Sequence, residues 1–262
     1  MWWTVLIVAG ILERAPVDLW NDSYCHQVTV DVTPIDSGYI YAFVDSTWQK
    51  FEVRGLPKKF INWSIERRRE TVQKLKEGGR PKLAGPHNAI VATYGVRRKD
   101  TRFRINNAVK GVGFVPKPDK LDEILQLLRN TMDADNARKL DILDSLYVNA
   151  YEIFDTTRLI SLELYSTPEF ETHTFINEML NPACAIVFLD MPSFELKVIA
   201  HLLHPDDPEL TPYERKVVEY TNLVHSYFHG RFKKDFIAVI YYVIEVYDNT
   251  PGRGGRGVRL IP

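Results

Sequence analysis

Cysteine is scarce in this sequence of 262 residues, which contains only Cys25 and Cys184. Two cysteines so far apart in the chain exclude the multi-disulfide framework of small secreted domains. They also exclude the paired cysteines of a zinc ribbon. A reducing compartment is the simpler expectation, and the sequence leaves a single long-range bridge open.

Long apolar runs are also missing. A membrane-spanning helix needs about 20 apolar residues, whereas the apolar run at residues 1–12 is closed by Glu13 and Arg14. No lysine or arginine precedes this run, as one would in a signal peptide. Its β-branched residues favour a buried first strand. We therefore expect a protein that is cytoplasmic or virion-internal, is not secreted and has no membrane partner.

Common catalytic signatures are equally sparse. The chain has no phosphate-binding glycine loop, no nucleophile elbow and no internal repeat. The sequence therefore names no enzymatic activity and identifies no cofactor. What it does contain is an uneven distribution of charge.

The positive charge is concentrated in residues 50–120, which we call the basic segment. This segment holds 19 Lys and Arg against 6 Asp and Glu, a net charge of +13, while the rest of the chain holds 14 against 28, a net charge of −14. Such a segment suits a polyanion, because each neutralised phosphate releases condensed counterions. The leading hypothesis is a nucleic-acid-binding protein without catalytic activity, a structural component of a nucleoprotein or viral assembly.

Two parts of the basic segment carry the candidate contacts. The first is a helix predicted to begin at Asn62 or Ser64 and to end near Glu77, and the second is a hairpin with its turn near residues 99–100. Their cations would contact phosphates, and an aromatic side chain on the hairpin would stack on a base. The predicted nucleic-acid-binding residues are Arg67, Arg68, Arg69, Lys74, Arg97, Arg98, Arg102, Phe103 and Arg104. The alternative interpretation is a solvated charged surface without a ligand.

The apolar periodicity predicts an α+β fold with mixed, largely antiparallel sheets and a central acidic pair of helices. One strand with alternating valines is predicted at residues 26–33. Four regions are predicted: an N-terminal β-rich unit at 1–118, a helical connector at 119–156, a C-terminal α+β unit at 157–249 and a flexible Arg/Gly tail at 250–262. The tail resembles the Arg-Gly-Gly tails of RNA-associated proteins, and a plain solvated tail is the alternative.

The best-specified helix lies near the C-terminus. Thr211 and Glu214 form a capping box, Pro212 takes the first helical position, and Gly230 follows the last turn. This pattern predicts one long capped helix between these residues.

Four histidines bear on metal binding. His225 and His229 are spaced i, i+4, so both imidazoles lie on one face of that helix. With His201 and His204 from the adjoining strand end, a tetrahedral site is conceivable. Ordinary surface or helix-end histidines are the alternative, and we assign no metal site from the spacing.

Two enzymatic alternatives stay open. Asp190, Glu195 and Lys197 are residue types of a nuclease in which two carboxylates share Mg²⁺ and a lysine steadies the attacking water. Residues 181–188, followed by a strand, a helix and a long final strand, resemble the order of elements in pyridoxamine-phosphate-oxidase-like, flavin-binding split barrels. That resemblance covers residues 158–248 and would imply an FMN-binding oxidoreductase.

A non-enzymatic alternative uses the same charge division. The basic segment of one subunit would meet the acidic surface of the next, giving a self-assembling structural protein that forms a homo-oligomer.

Overall fold

The computed structural model describes residues 18–252 and 257–261. It confirms an α+β fold in which the named strands pair antiparallel. The strand predicted at residues 1–12 and the central part of the Arg/Gly tail, at 253–256, lie outside the described residues. Within the described ranges, no helix combines the length and the apolar character that a bilayer crossing requires.

Groups of one to three strands are separated by helices along the described chain. The strands are β1 (Val30–Asp31), β2 (Tyr39–Val44), β3 (Thr47–Glu52), β4 (Asn88–Tyr94), β5 (Ile105–Gly111), β6 (Gly113–Pro116), β7 (Phe154–Glu163), β8 (Ala183–Phe188), β9 (Phe194–Leu203), β10 (Ile237–Asp248) and β11 (Val258–Arg259). The helices are α1 (Lys58–Lys76), α2 (Pro118–Thr131), α3 (Asn136–Val148), α4 (Ala150–Ile153), α5 (His173–Leu180) and α6 (Pro212–His229).

One large sheet organises the fold. Its strand order is β5-β4-β8-β9-β10-β7-β6, with β11 added to β10, while β1, β2 and β3 form a separate small sheet. The two terminal strands of this order, β5 and β6, are separated in the chain only by Val112. Lys110 of β5 also contacts Glu163 of β7, so the sheet curls back on itself towards a barrel. Strands from both the predicted N-terminal and C-terminal units are hydrogen-bonded within it.

Helices cover the sheet differently on its two faces. On the inner face, Phe60 and Trp63 of α1 pack against Phe188 and Phe194, with ring centroids 5.1–5.6 Å apart. The helix α5 lies on the same face further along. On the outer face, α6 covers β7 and β10, where the guanidinium of Arg158 lies over aromatic rings. Strand alternation produces this division, because successive side chains point to opposite faces.

The predicted long capped helix is confirmed as α6. The Thr211 hydroxyl accepts from the Glu214 backbone N–H, and the Glu214 carboxylate accepts from the Thr211 backbone N–H. Proline stands at its start and Gly230 at its end. The reciprocal cap satisfies donors that the first helical turn would otherwise leave unpaired.

The strand predicted at residues 26–33 is mostly wrong, since only Val30–Asp31 pairs as a strand. Val28 is 71% exposed, whereas Gln27 and Thr29 are buried. The Gln27 side-chain amide donates to the backbone carbonyls of Glu178 and Ala200. At residues 27–29, polar side chains therefore turn inward to satisfy buried carbonyls, and the predicted alternation fails there, whereas Val30 is buried as predicted.

Candidate nucleic-acid interface

The three consecutive arginines of α1 have different surroundings. Arg68 is buried, with 4% exposure. Its guanidinium donates to the backbone carbonyls of Pro86 and Val112, each at 2.7 Å, and it lies 5.2 Å from the Phe114 ring centroid. A side chain whose donors are used inside the protein has none to offer a phosphate. The prediction that Arg68 contacts nucleic acid is therefore corrected.

The neighbouring arginines, a half-buried Arg67 and an exposed Arg69, are paired with acidic side chains. Arg67 contacts Asp190 at 3.0 Å and Glu70 at 2.9 Å. Arg69 contacts Asp144 at 2.8 Å. Lys74 is exposed on the same helix. A phosphate that approached either arginine would have to displace a carboxylate, so α1 offers a weaker anion site than its sequence suggests.

This pairing extends along the basic segment, whose cations contact carboxylates from the acidic remainder of the chain. The pairs are Lys59–Asp248, Arg67–Asp190, Arg69–Asp144, Lys76–Asp141 and Lys110–Glu163. Charges that are separated in the sequence are thus mixed in the fold.

The main remaining concentration of exposed positive charge is the connection between β4 and β5, residues 95–104, which we call the basic tip. Its charged side chains are Arg97, Arg98, Lys99, Asp100, Arg102 and Arg104, a net charge of +4. In the described part of the chain, no carboxylate pairs with Lys99, Arg102 or Arg104. Phe103, between the last two arginines, is 68% exposed. The basic tip therefore combines unpaired cations with an accessible aromatic ring.

Arg98 sits closer to the body of the protein. It pairs with Asp100 at 2.9 Å, donates to the Glu171 carbonyl at 3.1 Å, and lies 5.1 Å from the Phe170 ring centroid. Phe170 is itself 49% exposed. Arg98 thus places a second accessible aromatic ring beside the basic tip.

The base of the basic tip is fixed by Asn177 of α5, which is fully buried. Its side-chain oxygen accepts from the Val96 N–H at 2.8 Å, and its amide donates to the Arg104 carbonyl at 3.2 Å and to the Thr93 hydroxyl at 3.1 Å. One side chain therefore joins both arms of the hairpin to α5. This anchor restricts the tip before any ligand arrives.

Gly95 allows the close approach that this arrangement needs. Its φ is +150°, and a Cβ at this position would lie 2.9 Å from the Cβ of Asn181. The Asn181 amide in turn donates to the Tyr94 carbonyl at 2.9 Å. Any side chain at position 95 would displace this contact.

We expect Asn177→Leu to loosen the basic tip. The substitution leaves the Val96 N–H without its partner, at about 1–3 kcal/mol if it stays buried. It also removes one of the two hydrogen bonds to the Arg104 C=O, which still accepts from the Gly95 N–H. Limited trypsin digestion should then cut at the arginines and lysines of the tip faster than in the unsubstituted protein. Asn106→Ala, which removes one hydrogen bond to Thr174, is the control. Equal cleavage rates for both variants would contradict the anchoring role.

Sequence reasoning missed a buried polar cluster on the inner face of the sheet. Lys110 contacts Glu163, and Glu178 accepts from the Tyr241 hydroxyl at 3.0 Å, while the other Glu178 carboxylate oxygen has no partner. Burial, opposed by the charge of Lys110 and reinforced by that of Glu163, raises the pKa of Glu178 to about 7. Burial also raises the pKa of the adjacent Cys184 thiol well above its usual range. The thiol is therefore a poor nucleophile.

The four histidines have separate surroundings. His201 is buried, stacks on Tyr242, and has its Nδ1 3.9 Å from the Glu214 carboxylate; burial lowers its pKa to about 4. The ring of His204 packs edge-on against Trp20. The Nδ1 of His225 lies 2.8 Å from the Thr221 carbonyl within α6, where His229 occupies the last turn. Among residues 18–252 and 257–261, no three or more His, Cys, Asp or Glu side chains are arranged to hold a metal ion.

The residues of the nuclease alternative are engaged with different partners. Asp190 accepts from the Trp63 indole and the Arg67 guanidinium, each at 3.0 Å. Glu195 contacts Lys197 and accepts from the Asn249 amide. Both cysteines are buried free thiols. Nuclease and flavin chemistry stay predictions from the sequence.

No model of a known protein family matches this chain, and no curated protein matches it significantly.

Proposed function

We propose that this protein binds nucleic acid through the basic tip, without catalysing a reaction on it. The observation that carries the proposal is the set of exposed cations Lys99, Arg102 and Arg104, which no carboxylate of the described chain neutralises, around the exposed ring of Phe103. Phosphates bind to such cations with release of counterions. The ring offers a face on which a base stacks.

The interface proposed here is smaller than the set of residues predicted from the sequence. Arg68 takes no part, and Arg67 and Arg69 contribute little because their charge is already balanced. Arg97, Arg98, Lys99, Arg102, Phe103 and Arg104 form the proposed contact surface. Lys74 lies outside it, on α1.

We expect Arg102→Ala/Arg104→Ala to weaken binding by about ten- to a hundredfold at low salt, because each cation lost removes a charge-assisted phosphate contact. Fluorescence anisotropy with a labelled oligonucleotide measures the affinity. Arg67→Ala/Arg69→Ala removes the same number of arginines from α1 and is the matched control. The affinity of Arg67→Ala/Arg69→Ala for the oligonucleotide should stay near that of the unsubstituted protein.

Two outcomes would overturn the proposal: no binding by the unsubstituted protein at low salt, or an equal loss of affinity in the two double variants. Light scattering on the same samples separates ligand binding from salt-dependent self-association, which is the competing use of the charges.

A further inference from the structure

The outer face of β4 and β5 carries an apolar surface that adjoins the basic tip. Tyr94 and Ile105 form a cross-strand pair beside the tip and are 48% and 62% exposed. Along the same face, the pair Ala92 and Asn107 comes next, followed by the apolar pair Ile90 and Val109, which are 38% and 74% exposed. Exposed apolar residues that lie contiguously, rather than singly, mark interaction surfaces.

The opposite face of the same two strands is covered. Thr93 is 3% exposed and bonds to Asn177 of α5, and Asn106 donates to Thr174 of the same helix. Since α5 lies on the inner face, it leaves Tyr94 and Ile105 uncovered. The helices α2 and α6 contact the other end of the sheet, at β6, β7, β9 and β10.

We infer that the ligand of the basic tip is a single-stranded nucleic acid whose bases stack on Phe103 and Tyr94 while its phosphates contact the arginines of the tip. This inference rests on the proposed function and specifies the ligand class. A sheet face with exposed aromatic rings binds bases that are free to leave the helical stack. In a duplex the base faces are already stacked on one another, so Tyr94 and the apolar pairs would gain nothing.

The charge of the basic tip and its position next to the apolar surface also favour a single-stranded nucleic acid. The tip provides a net charge of +4 at one end of the apolar surface. A nucleic-acid strand that crosses this surface would place its phosphates near the basic tip and its bases on β4 and β5. Single-stranded RNA and DNA share this chemistry and differ in the 2′-hydroxyl, so the test uses a probe of each kind.

The test compares pyrimidine single strands of about 16 nucleotides, as RNA and as DNA, with the matched duplex. We expect tighter binding of the single strands. Tyr94→Ala should weaken single-strand binding about 5- to 150-fold, which corresponds to the loss of one stacked base at ~1–3 kcal/mol. Tyr94→Phe keeps the ring and should retain the affinity. Leu83→Ala, which truncates another exposed apolar residue, should have no effect.

Phe103 lies outside β4 and β5, so Phe103→Ala provides a second test of base stacking. This test remains available if Tyr94→Ala fails to fold. Duplex binding that equals or exceeds single-strand binding, with no effect of Tyr94→Ala and Phe103→Ala, would overturn the single-strand inference and leave nucleic-acid binding standing. No binding of any probe would overturn the proposed function and this inference with it.

Discussion

Arg68→Met should lower the free energy of unfolding by about 2–5 kcal/mol, whereas Arg67→Met and Arg69→Met should each change it by less than ~1 kcal/mol. Methionine keeps most of the aliphatic length and has a helix propensity close to that of arginine. The loss at position 68 therefore reflects the carbonyls of Pro86 and Val112, which are left without their donor.

The two flanking variants are matched controls, because all three residues are arginines in one helical turn. Arg67 and Arg69 form ion pairs near the surface, and such pairs contribute little. Urea denaturation followed by circular dichroism gives the three values. Three equally small losses would show that the guanidinium of Arg68 does not hold α1 to the sheet.

Glu178→Gln should change how stability depends on pH. The carboxyl is fully buried, and its folded pKa of about 7 exceeds the ordinary value of 4.5 because burial disfavours the charged form. Between these two values the folded state binds more protons than the unfolded state, so stability falls as the pH rises from about 4.5 to about 7. At 1.36 kcal/mol per pKa unit, the decrease in the free energy of unfolding over this pH range approaches ~3 kcal/mol.

The groups that face Glu178 set the size of this effect. Glu163 and burial disfavour its ionisation, while Lys110 and hydrogen bonds from Tyr241 and Cys184 favour it. Glutamine has a similar shape and does not ionise. Relative to the unsubstituted protein, Glu178→Gln should therefore gain stability steadily from pH 4.5 to 7 and then stay constant.

Urea denaturation across this pH range measures the difference. Glu66→Gln, at an exposed position of α1, is the control, and its effect should stay below ~0.5 kcal/mol. A difference between Glu178→Gln and the unsubstituted protein that does not vary with pH would show that Glu178 ionises normally in the fold.

Local patterns predicted much of the secondary structure. The capping box at Thr211 and Glu214 specified α6, and two strand patterns around residues 99–100 specified the hairpin that carries the basic tip. These signals are local, because a cap or a tight hairpin is formed by residues near each other in the chain. The same signals predicted the class of the fold.

The helical periodicity of the sequence indicates the burial of Arg68, although a count of charges does not. Ser64, Arg68 and Val72 follow one another at intervals of four, so all three lie on the buried face of α1. A charged residue on that face needs partners from distant segments. Those partners, the carbonyls of Pro86 and Val112, cannot be read from α1 alone.

The neutralisation of α1 and the cluster around Glu178 depend on contacts between residues far apart in the chain. Asp190 reaches Arg67 only because β8 lies beside α1, and Lys110 meets Glu163 only because the sheet curls. Net charge along the sequence gives no information on such pairing. In the basic tip, Lys99, Arg102 and Arg104 have no carboxylate partner among the described residues, so this part of the basic segment keeps its exposed charge.

The dependence of binding on salt tests the central claim most directly. The logarithm of the association constant falls linearly with the logarithm of salt concentration, with a slope of about −0.7 per neutralised phosphate on a single strand. If the basic tip binds phosphates, Arg102→Ala/Arg104→Ala should make this slope shallower by about 1.4, while Arg67→Ala/Arg69→Ala should leave it unchanged. A slope that becomes shallower in the α1 variant, or that stays the same in the tip variant, would show that the basic tip is not the phosphate-binding surface.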